Sequence, residues 1–74
     1  PTTGNFSIKI TGFEPGRYKL EFYNAIGNKV RSRDITIENT ETDITDNMER
    51  LPKGLYYIRF GNSKKYLIRK LILE

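Results

Sequence analysis

The stretch Leu51-Pro52-Lys53-Gly54-Leu55-Tyr56-Tyr57-Ile58-Arg59-Phe60 contains a turn followed by a strand, and it decides how the rest of the chain is interpreted. Pro52 fixes its own φ and favours an extended Leu51, while Gly54 allows a positive φ in the turn. After Gly54 the side chains alternate between two faces of the strand. The large apolar face comprises Tyr56, Ile58 and Phe60. Such a face needs a second layer to bury it, and the earlier segments must supply that layer.

Composition limits the chain to a small domain without metal or disulfide chemistry. It has 74 residues, no Cys, no His and a net charge of +4. A domain of this size buries roughly 60% of the surface of its unfolded chain, so its core is small. The absent residue types exclude disulfides and thiolate metal sites and remove the commonest general base, so we expect no cofactor and no metal. No apolar run approaches the ~18 residues of a membrane span, so we expect no membrane insertion.

Turn signals separate short alternating segments along the whole chain. The strands are expected over 5–10, 17–23, 29–32, 33–38, 55–60 and 65–73, with Val30 pointing inward. Segment 39–43 is expected to be a loop, Ile44 a single inward anchor, and 46–50 one helical turn capped by Asp46. A total of about seven short strands predicts an all-β fold, a small antiparallel Ig-like β-sandwich.

The last predicted strand, 65–73, is apolar on both faces near its end. Lys70 shares one face with Tyr66, Ile68 and Ile72, and the other face carries leucines. This pattern suits a strand that is packed on both sides or an edge strand that meets a partner. A cation on an apolar face is solvated, paired locally or in contact with a partner, and the sequence leaves these three possibilities open for Lys70.

Three motifs follow one another in the chain. They are Pro1-Thr2-Thr3-Gly4, then Gly16-x-Tyr18 leading to Tyr23-Asn24-x-x-Gly27-x-x-Val30, and finally Leu51-Pro52-x-Gly54-x-Tyr56 leading to Lys70-Leu71-Ile72-Leu73-Glu74. In this order and at this length, they closely resemble the C-terminal sorting domain of the type IX secretion system of Bacteroidota, also called the Por secretion tail. The resemblance covers essentially the whole chain.

The resemblance implies a non-catalytic signal domain rather than an enzyme. Residues 1–74 would be the C-terminal sorting domain of a longer secreted protein, which fits a chain that opens at Pro1 without a Met. The cargo would pass through the periplasm and then through the outer-membrane translocon of the type IX system. A sortase-like outer-membrane peptidase would remove the domain in many members and attach the cargo to the cell surface, whereas other members would be released.

The resemblance separates motif residues that shape the fold from those that meet the translocon. The shaping residues are expected to be Pro1, Gly4, Gly16, Tyr18, Gly27, Leu51, Pro52, Gly54 and Tyr56, in turns or in the core. The candidate translocon contacts are Tyr23, Asn24, Lys70, Leu71, Ile72, Leu73 and Glu74. For Tyr23-Asn24, turn chemistry is the alternative role. An exposed last strand would also allow recognition by strand addition.

Other functions have less support in the sequence. An Ig-like carbohydrate-binding or adhesive module is the main alternative, with Tyr57 as a stacking platform for a sugar. Nucleic-acid binding is not expected, because no RNA-recognition or OB motif is present and the charge is modest. Catalysis is not expected either: the carboxylates are scattered, the serines have no His to activate them, and Asp43 and Asp46 lack the EF-hand spacing. The oligomeric state has no signature in the sequence.

Overall fold

The structure is a computed structural model that describes residues 5–48 and 50–73. The described residues form six strands and no helix: β1 (Asn5–Thr11), β2 (Gly16–Asn24), β3 (Lys29–Ile37), β4 (Glu41–Asn47), β5 (Gly54–Gly61) and β6 (Tyr66–Leu73). The predicted all-β, antiparallel, sandwich-like fold is confirmed, with six strands instead of about seven.

The strands form two antiparallel sheets of unequal size. The larger sheet has the order β3-β2-β5-β6, and the smaller sheet pairs β1 with β4. We call the face of the larger sheet that meets β1 and β4 its inner face, and the opposite face its outer face. Strands β2 and β5 lie in the centre of the larger sheet, so β3 and β6 are its two edges.

The core lies between the two sheets and draws on the alternation predicted for β2 and β5. Its buried side chains are Ile10, Phe13, Tyr18, Leu20, Phe22, Ile37, Ile44, Met48, Tyr56, Ile58, Phe60 and Leu73. Phe60 anchors one end, with its ring 5.0 Å from that of Phe13 and 5.4 Å from that of Tyr18. Phe6 of β1 meets Phe22 edge-on at 5.8 Å and joins the small sheet to the large one. These aromatic pairs add roughly 0.5–1.5 kcal/mol each beyond the area that they bury.

Strand β3 corrects two predictions. The segments predicted as separate strands, 29–32 and 33–38, form one continuous strand paired with β2. The pairing shifts where Phe22 opposes Arg31 and Tyr23 opposes Lys29, so Val30 is the extra residue of a β-bulge. A bulged residue leaves the alternation, and Val30 is therefore 38% exposed rather than inward as predicted.

Strand β4 corrects two further predictions from the sequence. Residues 41–43 of the predicted loop and 46–47 of the predicted helical turn belong to a strand that pairs with β1 over its whole length. Residues 39–40 lie outside any strand, as predicted, and residue 49 of the predicted helical turn lies outside the described residues. Ile44 is buried, as predicted, but as one residue of this strand rather than as an isolated anchor. The run of polar residues concealed the strand because its outer side faces water, and polar side chains are expected there.

Buried ion pairs join β3 to β4. The carboxylate of Asp46, whose side chain is only 4% exposed, lies 2.9 Å from Arg31 and 3.0 Å from Arg33. Arg33 also donates to the Thr45 carbonyl oxygen at 2.9 Å. Burial alone would raise the pKa of Asp46, but hydrogen bonds from the Asn47 N–H and from both guanidinium groups outweigh it and lower that pKa. The β3 edge is therefore tied to the small sheet by charge.

The turn between β5 and β6 is tight. The Asn62 N–H donates to the Lys65 carbonyl oxygen at 2.8 Å, and the Asn62 carboxamide oxygen accepts from the N–H groups of Lys64 and Lys65. Gly61 precedes the turn with a φ of +152°, and a Cβ there would lie 2.2 Å from the Lys65 carbonyl oxygen. Only glycine fits this position, which fixes the register of the last strand.

Candidate functional site

The outer face of β6 exposes a row of four side chains, which we call the β6 strip: Tyr66, Ile68, Lys70 and Ile72. Tyr66 is 56% exposed, Ile68 52% and Ile72 45%. Isolated apolar residues on a surface need no explanation, but three on one face of one strand form a patch, and such patches mark interaction sites.

Lys70 lies in the strip on the same face as its apolar neighbours, as predicted. It is exposed and has no ion pair or hydrogen bond with any residue that the structure describes. Its cross-strand neighbour is Tyr57, which is 37% exposed. The sequence left three roles open for Lys70. Local pairing is not found within the described residues, so solvation and contact with a partner remain.

The opposite face of β6 resolves the ambiguity of its apolar pattern. Leu73 is buried, and Leu67 and Leu71 are half-buried against the core. Arg69 stands between these leucines on the inner face, yet it is exposed. An inward-pointing charge on an edge strand opposes indiscriminate pairing with other sheets.

The backbone of β6 forms an edge of the large sheet on which no further described strand pairs, although the Ile68 carbonyl oxygen accepts from the Arg69 guanidinium at 3.2 Å. The hydrogen bond from the Asn62 N–H to the Lys65 carbonyl sets the phase of the β5–β6 ladder, whose register then runs without a shift from Gly61↔Tyr66 to Gly54↔Leu73. Hydrogen-bonded and non-hydrogen-bonded pairs alternate in an antiparallel ladder. The N–H and C=O groups of the four residues of the β6 strip therefore point away from β5, toward the open edge.

A second group of charges lies beside the strip on the outer face. The carboxylate of Glu21 accepts from Lys29 at 2.8 Å and from Arg59 at 3.2 Å. The hydrogen bond from Lys29 is the main reason that the pKa of Glu21 is lowered despite the opposing effect of burial. The Arg59 guanidinium also lies 4.6 Å from the centre of the Tyr66 ring, which holds that ring against the sheet.

Tyr23 and Asn24, at the β2–β3 hairpin, have different surroundings. The carboxamide oxygen of Asn24 accepts from the Asn28 N–H at 2.9 Å, and Gly27 takes a φ of +91°, so the predicted turn chemistry is present. Tyr23 is half-buried on the outer face and opposes Tyr57, the neighbour of Lys70. The structure thus places Tyr23 and Lys70 in one cross-strand row, while Asn24 serves the turn.

The two motif tyrosines lie in the core at equivalent corners. Tyr18 donates from its hydroxyl to the Glu14 carbonyl oxygen at 2.5 Å, and Tyr56 donates in the same way to the carbonyl oxygen of Pro52, again four residues back. Gly16 and Gly54 precede them with φ angles of +156° and +146°. Leu51 is half-buried against the core. Pro1, Gly4 and Glu74 lie outside the described residues.

The buried carboxylates of Asp46 and Glu21 were not identified from the sequence. A signal for Asp46 exists, because the period-two face of β4 that contains buried Ile44 also contains Asp46. Likewise, Arg31 and Arg33 alternate onto the same face of β3 as Ile35 and Ile37. Charges of opposite sign on two predicted inner faces would have suggested an ion pair between sheets.

Within the described part of the chain, no three His, Cys, Asp or Glu side chains are grouped closely enough to hold a metal ion. Over the same residues, no helix has the length and apolar character needed to cross a membrane.

Comparison with known proteins gives one result. A family model described as a secretion system C-terminal sorting domain matches residues 1–74, the whole chain. No curated protein and no solved structure gives a significant match.

Proposed function

This chain belongs to the family of secretion-system C-terminal sorting domains, and we propose that it is a non-catalytic signal that the type IX translocon reads through the β6 strip and the free edge beside it. The family implies a C-terminal sorting signal for type IX secretion, and therefore export to the cell surface or release from the cell. The proposal concerns how this particular chain presents that signal.

The observation that carries the proposal is the exposure of three large apolar side chains on a strand at the edge of a sheet. Burying a half-exposed isoleucine in a partner would contribute roughly 1 kcal/mol, since full burial is worth about 1.5–3 kcal/mol. Ile68 and Ile72 are both about half exposed. The strip also carries Lys70, whose charge would favour an acidic group on the partner.

Backbone pairing would add selectivity to the side-chain contacts. An extended segment of a translocon protein could pair with the outward N–H and C=O groups of β6 and extend the four-stranded sheet. Its alternate side chains would then lie beside the β6 strip, and Arg69 would restrict which segments can pair from the inner side. Leu71 and Leu73 support this edge from the core rather than touching the partner.

The rest of the sorting route is part of the same proposal. The domain would be covalently part of a larger cargo protein, cross the periplasm with it and reach the outer-membrane translocon. A sortase-like outer-membrane peptidase would then remove the domain and attach the cargo to the cell surface. In this scheme the motif glycines and tyrosines shape the sandwich, and the β6 strip and Tyr23 supply the contacts.

A carbohydrate-binding or adhesive module is the second candidate function. Exposed Tyr57 and Tyr66 favour it, because an aromatic ring at the surface can stack on a sugar. Glycan binding that persists without a translocon would distinguish this function from sorting.

The test is a reporter fusion in a bacterium with a working type IX system and in a strain that lacks the translocon. The 74 residues would follow an exported fluorescent protein, and fluorescence would be compared in the periplasm, on the surface and in the medium. We expect translocon-dependent export, and we expect Ile68→Gln with Ile72→Gln to retain the fusion in the periplasm.

The matched control is Ser32→Gln with Thr36→Gln on the outer face of β3, the opposite edge of the same sheet. It should export normally. Equal loss of export in both double variants, with both folded, would contradict recognition through β6.

A proline variant separates backbone pairing from side-chain contact. Ile68→Pro removes an N–H that points away from β5, a position at which an edge strand accepts proline. Strand addition predicts that Ile68→Pro reduces export more than Ile68→Gln does. Equal export by the two folded variants would leave only side-chain recognition.

A further inference from the structure

The outer face of the large sheet also contains a depression of about 870 Å³. It lies between the β2–β3 side of the sheet and the β5–β6 turn. Its lining includes Arg17, Lys19, Asp34, Arg59, Asn62 and Ser63. Its volume is within the usual range of small-molecule sites, roughly 300–1,000 Å³.

Charge in this depression is unbalanced. Three cations line it, Arg17, Lys19 and Arg59, whereas Asp34 is the one carboxylate in its described lining. Arg59 is also paired with the Glu21 carboxylate, which it shares with Lys29. Asp34 is a weak counterion, because it lies 3.7 Å from Lys19 and its side chain is 88% exposed. Arg17 has no hydrogen bond or ion pair with the residues that the structure describes. The positive charge that stays uncompensated in the depression is therefore that of Arg17, with Lys19 only weakly paired.

Arg59 is held in place before any ligand arrives. Its guanidinium donates to Glu21 and to the Asn62 carbonyl oxygen, each at 3.2 Å, and lies over the Tyr66 ring. A planar guanidinium fixed by such contacts loses little conformational entropy when it binds a further oxygen. Arg17 and Lys19 have fewer fixing contacts, so they could adjust around a ligand that Arg59 orients.

Neutral hydrogen-bond donors line the depression beside these cations. The β5–β6 turn is rigid because the Asn62 carboxamide oxygen accepts two backbone N–H groups, and this leaves the Asn62 amide nitrogen as a donor. The Ser63 hydroxyl belongs to the same turn. A rigid guanidinium, two further cations and neutral donors form the kind of group that recognises a tetrahedral oxyanion.

We infer that this depression binds the phosphate or sulfate group of a sugar-sized ester. A phosphate monoester carries about −1.5 to −2 charges at pH 7, which matches the cationic excess better than a single carboxylate does. The volume beyond the oxyanion accommodates the polar remainder of the molecule. This site adjoins the β6 strip, because Arg59 lines the depression and lies over the Tyr66 ring, but it would operate whether or not the β6 strip meets the translocon.

The experiment is an amide NMR titration of the 74-residue chain at constant ionic strength. The probes are glucose 6-phosphate, inorganic phosphate and inorganic sulfate, with unmodified glucose as the neutral control. We expect shifts concentrated at 17–19, 34–36 and 59–63 with the anionic probes. Saturation by glucose 6-phosphate with weaker effects of sulfate would assign the site to phosphate esters, and the reverse order would assign it to sulfate esters.

Charge-matched variants decide whether the binding is specific. Arg17→Gln should weaken the affinity for glucose 6-phosphate about threefold to fivefold, the usual effect of one exposed charge contact. Lys53→Gln removes the same charge from an exposed residue outside the depression and should leave the affinity unchanged. Equal weakening by the two variants, or shifts spread over every basic surface, would overturn the inference in favour of non-specific attraction.

Discussion

The two edges of the four-stranded sheet differ in what protects them. The β3 edge contains a bulge at Val30, and its inner face is tied to β4 through Asp46. The β6 edge has a regular register and three exposed apolar side chains, and among its described residues the charges of Arg69 and Lys70 oppose pairing. Unprotected edges are a hazard that proteins usually avoid. That only one edge is blocked supports a role for the other in recognition, and the predictions below test this contrast.

The largest effect is expected where β6 joins the sheet. Gly61→Ala would place a Cβ 2.2 Å from the Lys65 carbonyl oxygen at a φ of +152°, so the turn must move. We expect the free energy of unfolding to fall by more than about 3 kcal/mol, measured by urea denaturation. Gly27→Ala is the control, because nothing lies within 4 Å of its Cβ position. It should cost only about 1–2 kcal/mol for its positive φ. Similar losses in the two variants would contradict this account of the β5–β6 turn.

The next largest loss of stability is expected at the β3 edge, which the ion pairs of Asp46 tie to β4. Asp46→Asn keeps the shape of the side chain but leaves Arg31 and Arg33 without their carboxylate. We expect a loss of about 2 kcal/mol, less than for a fully buried pair because both arginines are partly exposed to water. Asp34→Asn breaks an exposed pair with Lys19 and should change stability by less than about 0.5 kcal/mol. If the two variants are equally stable, the ion pairs at Asp46 do not stabilise the contact between β3 and β4.

Acid should destabilise the fold through two carboxylates, Asp46 and Glu21. The pKa values of Asp46 and Glu21 are both lowered in the folded protein, so the folded state binds fewer protons than the unfolded chain does. Their contribution is complete above the ordinary carboxyl pKa of about 4 and is lost as the pH falls through the lower folded values. Urea midpoints between pH 2 and pH 7 should therefore decline below about pH 4. Asp46→Asn should show a shallower decline than the parent chain, and an unchanged slope would exclude Asp46 as a cause.

The smallest effect on stability is expected at the β6 edge. Ile68→Gln with Ile72→Gln alters side chains that face solvent, so the free energy of unfolding should change by less than about 0.5 kcal/mol. Differential scanning calorimetry of this double variant would check it. A large loss would mean that the strip supports the fold, and loss of export in the same variant could then not be assigned to recognition.

Much of the sandwich could be predicted from the sequence because its strands alternate strictly. Tyr56, Ile58 and Phe60 are buried as predicted, and so are Tyr18, Leu20 and Phe22. The hairpin at Asn24 and the turn after Gly61 also lie where turn residues placed them. Strand β4 was missed because only one of its seven residues, Ile44, is a buried apolar side chain. The candidate contacts on β6 were placed on the correct strand, whereas their role in sorting stays a prediction.

What the sequence determined by itself is the set of local preferences: where strands alternate, where glycine and proline turn the chain, and that the motifs are those of a sorting domain. The tertiary structure decided which face of β6 is buried, because leucines and isoleucines are equally apolar and only packing against the core distinguishes them. It also decided that Asp46 meets Arg31 and Arg33, and that one edge of the sheet is closed while the other is open. These features depend on which distant strands become neighbours, and the local pattern supplies at most a hint, as the opposite charges on the inner faces of β3 and β4 do for Asp46.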